Sequence, residues 1–320
     1  MELLRAKMQR DYPAPPMRRD AHPKHHACVR ARFTVDDGLP SELAHGLFAQ
    51  PTTFRAWVRF SNQSGTPQAD RFGDIRGVAI KLLGVPGPKL LAGSEQATTH
   101  DLILITTDRF VTRDVEEFHD LIAATVRGRV WLLLFLLFHP RVARNLLQSL
   151  QAVDSVLSIT YTSPTPYRLG PLAVRYRLRP VSACPGGSTD RANPDGLRQR
   201  LFDDLKAADA EFDFMVQVQT DARLMPIEDP GIRWPESVSP FRKVGRLSIP
   251  RQDGDVEALA TLAEDISFNP WRCLESHRPL GGINRARRNI YASLSAYRHA
   301  FNRARLSEPE VERLFDDAKG

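Results

Sequence analysis

Apolar residues along the chain fall into two strand-rich runs separated by a helical stretch. β-Branched or alternating apolar positions predict strands over Cys28–Val35, Phe54–Ser61, Gly77–Leu82 and Asp101–Thr106. The pattern returns at Leu157–Thr162, Leu172–Leu178, Phe212–Gln219 and Lys243–Ile249. Between the runs, Val115 to about Ala152 reads as helix, broken near Gly128 and Pro140. Further helices are predicted over Leu197–Ala210, Val256–Ala263 and Ile283–Asn302, and a capped one follows Ser307-Glu-Pro-Glu. The Pro185-Gly-Gly-Ser stretch reads as a loop, and Met1–Pro16, with its Pro-Ala-Pro-Pro run, as an irregular arm. Two sets of four strands with helices between and after them suit an α+β chain. The expected architecture is a closed antiparallel eight-stranded β-barrel with helical insertions and C-terminal helices. The expected organisation is an arm over residues 1–18 and a single domain over 19–320. No internal repeat is visible.

Composition narrows the class of protein. At 320 residues the chain can bury a sizeable core, and 42% hydrophobic with 26% charged residues is ordinary for a globular protein. The net charge is +6, but the 44 basic residues are spread among 38 acids. No basic motif studded with aromatics appears, which argues against nucleic-acid binding. Cys28, Cys184 and Cys273 are far apart and odd in number, with no zinc spacing or disulfide framework. Reduced thiols and a cytoplasmic location are expected. The N-terminal segment lacks an apolar run and does not read as a signal peptide. Val130–Phe138 is wholly apolar but short; a spanning helix needs about 20 residues. The expectation there is a helix buried on all sides. The alternative is an apolar lip for greasy substrates or peripheral contact with a membrane.

The candidate chemistry centres on the segment from Asn284 to Asn302, which has no proline or glycine and should form one continuous helix. Arg287, Tyr291, Leu294 and Arg298 then lie on one stripe. A core-facing stripe should be apolar, yet this one carries two guanidiniums around a phenol. A tyrosine binds iron as phenolate, and its free pKa is about 10. Ferric iron and an arginine one turn away are cations that can hold it ionised at neutral pH. That is the logic of a tyrosine-ligated haem. Alone, an Arg–Tyr pair four residues apart on an Arg-rich helix is usually a pair of surface neighbours. A second cluster, His22-Pro-Lys-His25-His26-Ala-Cys28, lacks a further ligand group at fixed spacing, so zinc or copper is not favoured.

Six blocks in order resemble the haem catalases, and more closely their short catalase-related relatives, which include small haem peroxidases and allene oxide synthase domains. Arg19-Asp-Ala-His22-Pro-Lys24 resembles the family's segment with the distal histidine. Val58-Arg59-Phe60-Ser61 resembles the strand beside it, and Asp74-Ile-Arg76-Gly77-Val-Ala-Ile-Lys81 the next strand. Asp101 through Asp114 is similar to the strand and turn that carry a distal asparagine. Trp234-Pro235 with Val244-Gly245-Arg246-Leu247, and then Glu264-Asp-Ile-Ser-Phe-Asn-Pro270 before the Arg287-x-x-x-Tyr291 helix, complete the set.

The resemblance implies a catalase-like barrel holding haem b, with iron bound through Tyr291. It implies His22 as the base that moves the peroxide proton, Ser61 as the residue fixing its ring, and Arg19, Arg59 and Arg298 as partners of the haem propionates. Arg76 is implied either to contact haem or to neutralise Asp74, and Arg287 to hold Tyr291 ionised. From His22 to Phe33 the spacing is one residue longer than in large catalases. A bulge near Pro23 would restore His22 to the correct face; otherwise His26 is the substitute. Counting from Asp101, the distal asparagine position is Thr106, and the proline and phenylalanine expected after it are Asp108 and Val111. A threonine hydroxyl is shorter than an amide, so efficient hydrogen-peroxide dismutation should be impaired and peroxidase chemistry less so. The long arm that wraps neighbouring subunits is nearly absent, and no additional C-terminal domain follows the tyrosine helix; another form of oligomer stays open.

The expected function is therefore a haem-dependent peroxidase or catalase-like oxidoreductase reducing hydrogen peroxide or organic hydroperoxides through a ferryl intermediate. One alternative is rearrangement of a fatty-acid hydroperoxide, as in allene oxide synthases. Another is non-catalytic haem binding, with Tyr291 and the arginines kept while the distal side drifts.

Overall fold

Alternation along the strands decides the architecture. In β1 (Lys24–Val35), Ala27, Val29, Ala31, Phe33 and Val35 join the main core, while Cys28 belongs to a cluster on the opposite face. The same two-residue period sends Phe54, Ala56, Val58 and Phe60 of β2 (Thr53–Asn62) and Val78, Ile80 and Leu82 of β3 (Arg76–Leu82) into that core. Leu102 and Leu104 of β4 (His100–Ile105) follow them. The computed structural model describes residues 1–181, 187–252, 256–304 and 307–317.

The remaining strands are β5 (Tyr161–Thr162), β6 (Tyr167–Leu169), β7 (Leu172–Pro180), β8 (Ala210–Val218) and β9 (Arg242–Ile249). All pairings are antiparallel. β1 pairs with β9 and β5 with β7, which closes an eight-stranded cycle around the main core; β6 hangs on β7 as a hairpin outside it. This is the expected barrel. Its fifth strand is shorter than the expected Leu157–Thr162. Ser155 turns the chain there, its hydroxyl accepting from the Leu157 amide at 3.2 Å and donating to Asp204 at 2.9 Å. β6 is too short for periodicity to reveal.

The helical stretch breaks where expected, into α2 (Val115–Arg127), α3 (Arg129–Phe138) and α4 (Pro140–Ser149), after α1 (Glu2–Asp11). Asp114 caps α2 by accepting from the Glu117 amide at 2.8 Å. Then follow α5 (Gly196–Ala207), α6 (Val256–Asp265), α7 (Gly282–Asn302) and α8 (Glu308–Asp317). The expected Pro185 loop and Cys184 lie outside the described residues, while Cys28 and Cys273 are free and buried.

Two expectations are corrected. Met1–Pro16 is not irregular throughout: its prolines begin only at Pro13, and α1 docks on α7 ahead of them. Arg5 donates to Ser293 at 2.5 Å, and Tyr297 donates to Gln9 at 2.7 Å. Val130–Phe138 is not buried on all sides. After the turn at Gly128, α3 packs on the apolar cluster of the body through Leu132, Phe135 and Leu136, and no residue of α3 is buried. Among the described residues no single helix is long and apolar enough to cross a membrane; α3 and α4 pass only together, with a bend of 113° between them.

A buried charge network fastens α8 to the barrel. Lys81 reaches Asp101 at 2.7 Å and Glu308 at 2.9 Å, and Arg272 reaches Asp101 at 2.6 Å and Glu308 at 3.2 Å. Burial raises the Glu308 carboxyl, but Lys81 and Arg272 outweigh it and hold the group below the usual glutamate range. Removing one member leaves buried charge uncompensated. Asp101→Ala is therefore expected to cost about 3–5 kcal/mol in urea denaturation at neutral pH. A loss below about 1 kcal/mol would show that the network contributes little.

Candidate active site

The outer face of β1–β4 carries the candidate residues, because directly paired residues share a face and the alternate positions already fill the core. One row across this face is His25, Ser61, Gly77 and Ile105; the next is Cys28, Arg59, Ala79 and Ile103. Ala79 and Ile103, paired with each other, are the incompletely buried residues of β3 and β4. A shallow strip of small and apolar side chains thus opens where the sheet is otherwise covered.

His22 stands at the start of this strip, two residues before β1. Its φ is 59°, a left-handed conformation rare for a non-glycine residue. Three bonds hold it. Its amide donates to the Gln63 carbonyl at 3.3 Å, its own carbonyl accepts from Arg59 at 3.0 Å, and its Nδ1 lies 3.0 Å from the Ser61 hydroxyl. The ring rests on Gly77, where a Cβ would fall 2.4 Å from His22 Cε1. Only glycine leaves room for the imidazole. Burial, and then the charges of Arg59, Arg19 and Arg287, push its pKa down to about 3, so the ring is neutral at physiological pH.

The register question from the sequence has a definite answer. The bulge lies between His25 and Ala27, not near Pro23, and it absorbs the additional residue. His26, at that bulge, is fully buried and bonded to Asn62 at 2.8 Å. It faces a polar network with Asp70 rather than the strip, where His22 stands.

Arg19, Arg59 and Arg298 converge beside His22 on the C-terminal end of α6. Arg59 donates to the Ala263 carbonyl at 2.9 Å; Arg19 donates to Ala263 at 3.0 Å and to Ile266 at 2.5 Å. The free carbonyls of a helix end suit cations. Arg298, from α7, bonds Glu264 at 3.0 Å, and Arg19 stands 3.7 Å from the same carboxylate. Glu264 thus contacts Arg19 and Arg298, Arg59 bonds the Ala263 and His22 carbonyls, and Asp265 is a second carboxylate acting on Arg19 and Arg298. Burial, followed by repulsion from Arg19, lowers Arg59 well below its ordinary range and Arg298 to about 9. The cluster carries more positive charge than its protein partners neutralise.

On α7, Arg287 is fixed by Thr165 and Asn284, each at 3.1 Å, and its other nitrogen donates to the Tyr291 hydroxyl at 3.1 Å. Asn284 is itself held by the Pro166 and Leu280 carbonyls, and its own carbonyl accepts from Trp271 at 2.7 Å. Asn284, Arg287 and Arg298 are buried and Tyr291 half-buried, so the polar stripe of this helix does face inward.

Two expected site residues are not brought in. Arg76 shares the core-facing side of β3 with Val78 and Ile80 and donates to the carbonyls of Asp70 and Phe72 at 3.2 and 3.0 Å. Thr106 lies past the end of β4, and its hydroxyl accepts from the Arg76 amide at 3.1 Å. It lines a separate polar cleft with Asp108, Arg109, Gln148 and Gln151. The residue across from Gly77, on the His22 side, is Ile105. Counting along the sequence missed this by one, and a one-residue shift in a strand changes the face. Glu264, within a block noted in the sequence, was missed as the common anion of the arginines, as were Thr165 and Asn284 behind Arg287. Among the described residues no group of three or more His, Cys, Asp or Glu side chains could hold a metal ion.

No family model matches the sequence, and no curated protein sequence matches it. Solved structures do: a fungal catalase at 19% identity with a TM-score of 0.68, catalase A from Saccharomyces cerevisiae at 21% and 0.70, and a bacterial catalase at 18% and 0.68. Each alignment covers 92% of this chain, which spans 61%, 63% and 59% of those chains. The fold is catalase-related.

Burial makes five histidines poor proton acceptors in the folded protein: His22 near 3, His25 near 2, His26 near 4, His277 near 3, and His100 well below its ordinary range, against 6.5 when unfolded. Between these values the unfolded chain takes up protons that the folded one does not. Their contribution is fully present above pH 6.5 and is lost as pH falls toward the folded values. The urea midpoint is expected to drop between pH 7 and pH 5, with net proton uptake on unfolding; an unchanged or higher midpoint contradicts this.

Proposed function

Taking the catalase-related fold as premise, we propose that the chain binds haem b and reduces hydrogen peroxide or organic hydroperoxides. The observation that carries this reading is the gathering of three guanidiniums, Arg19, Arg59 and Arg298, about the two carboxylates of Glu264 and Asp265, beside the flat strip at Gly77 and Ala79. Haem propionates would add negative charge there through charge-assisted hydrogen bonds. The flat ring suits a face without bulky side chains. The Tyr291 phenol, already bonded to Arg287, supplies an oxygen ligand for ferric iron. Arg19, Arg59 and Arg298 would hold the propionates, and Tyr291 the iron.

Bound haem supplies the redox chemistry that cleaves the peroxide O–O bond. The chain's own residues manage the proton. His22 is neutral, and Ser61 fixes its Nδ1 side, leaving Nε2 to take the proton from the peroxide hydroxyl and return it to the departing oxygen. A strongly lowered pKa favours the return. Arg287 donates to the Tyr291 oxygen and orients it. Ile105, with Ile75 and Val111, makes the neighbouring wall apolar and offers no amide to polarise a peroxide. That wall favours an organic hydroperoxide over rapid dismutation of hydrogen peroxide. It also supports a second reading, rearrangement of a fatty-acid hydroperoxide.

In the haem-loaded protein, His22→Ala is expected to slow alkyl-hydroperoxide reduction about a hundredfold or more with haem content unchanged. Equal rates for wild type and variant would remove His22 from the reaction. Ile105→Asn adds a donor on the same face and is expected to raise oxygen evolution from hydrogen peroxide roughly tenfold. No gain, with haem retained, would mean that Ile105 does not face the peroxide.

A further inference from the structure

We infer that α3 is a docking lip for an anionic lipid surface. Val130, Trp131, Leu133, Leu134, Leu137 and Phe138 are 44–76% exposed, and α3 buries none of its residues. An apolar helix so open to water is costly for a protein that stays in solution. Its charge surroundings select the occupant. Between Asp120 and Asp154 the sequence has no acidic residue, while Arg127, Arg129, Arg141 and Arg144 flank the apolar helix on both sides. Arg141 is paired with Asp229, but among the described residues no carboxylate pairs with Arg127, Arg129 or Arg144. Arg127 lies over the Trp131 ring at 5.5 Å, placing an aromatic and a cation together where headgroups meet acyl chains.

The arrangement suits a helix lying in the interface rather than crossing it. α4 cannot leave the fold with α3, because Val142, Asn145 and Ser149 are buried and Asn145 bonds the carbonyls of Val111 and Gly231. α3 alone is free to enter the headgroup layer to a shallow depth. Its inner residues Leu132, Phe135 and Leu136 pack on the cluster that contains Ile105. An unbroken apolar contact thus runs from the lip to the wall beside His22.

Flotation with phosphatidylcholine vesicles, with and without phosphatidylglycerol, tests this and needs no bound haem, so its outcome is separate from that of the functional reading. The wild type should bind the anionic vesicles at least about tenfold more tightly than the neutral ones. The double variant Leu137→Glu/Phe138→Glu, at positions 72% and 76% exposed, should keep its circular dichroism spectrum and lose binding on the order of a hundredfold. Arg129→Glu/Arg144→Glu should erase the preference for anionic lipid. Absence of wild-type binding, or unchanged binding by the first variant, overturns the inference. So does a result in which that variant changes only the size of a wild-type dimer on gel filtration, which would assign the face to a second copy of the chain.

Discussion

The candidate site depends on one electrostatic imbalance: three guanidiniums, Arg19, Arg59 and Arg298, gather near two carboxylates, Glu264 and Asp265. An incompletely compensated guanidinium away from water costs several kcal/mol. The fold lowers that cost in part by aiming the Ala263 and Ile266 carbonyls at Arg19 and Arg59. The carboxylates of Glu264 and Asp265 supply more of the compensation, and the proposed anionic cofactor would complete it.

His22 is tied to the same imbalance. Arg59 reaches its carbonyl, and the arginines add to burial in keeping its ring uncharged. Its left-handed backbone is held by contacts from β2 and its ring by the missing side chain of Gly77. Strain of this kind persists where the surroundings over-determine it, as at binding sites. Contacts from β2 and β3 thus position His22, while Arg298 and Tyr291 come from α7.

Much of this was legible in the sequence. All eight barrel strands overlap segments read as strands from the sequence, the fifth only at its end, and the polar stripe of Asn284–Asn302 reveals itself because a core-facing stripe should be apolar. What the sequence hid were single-residue matters of register. The bulge sits at His26 rather than Pro23, and the residue opposite Gly77 is Ile105 rather than Thr106. Both depend on inter-strand pairing, which local composition does not encode. α3 misled for a different reason: hydrophobicity signals the need for an apolar partner but not whether that partner lies within the chain.

The central claim, that α7 presents its phenol to ferric haem under the charge of Arg287, is tested most directly by the absorption spectrum of the haem-loaded protein beside that of Tyr291→Phe. The account predicts a high-spin ferric spectrum with phenolate ligation in the wild type, and loss of that signature or of haem itself in the variant. Identical haem content and identical spectra would contradict it.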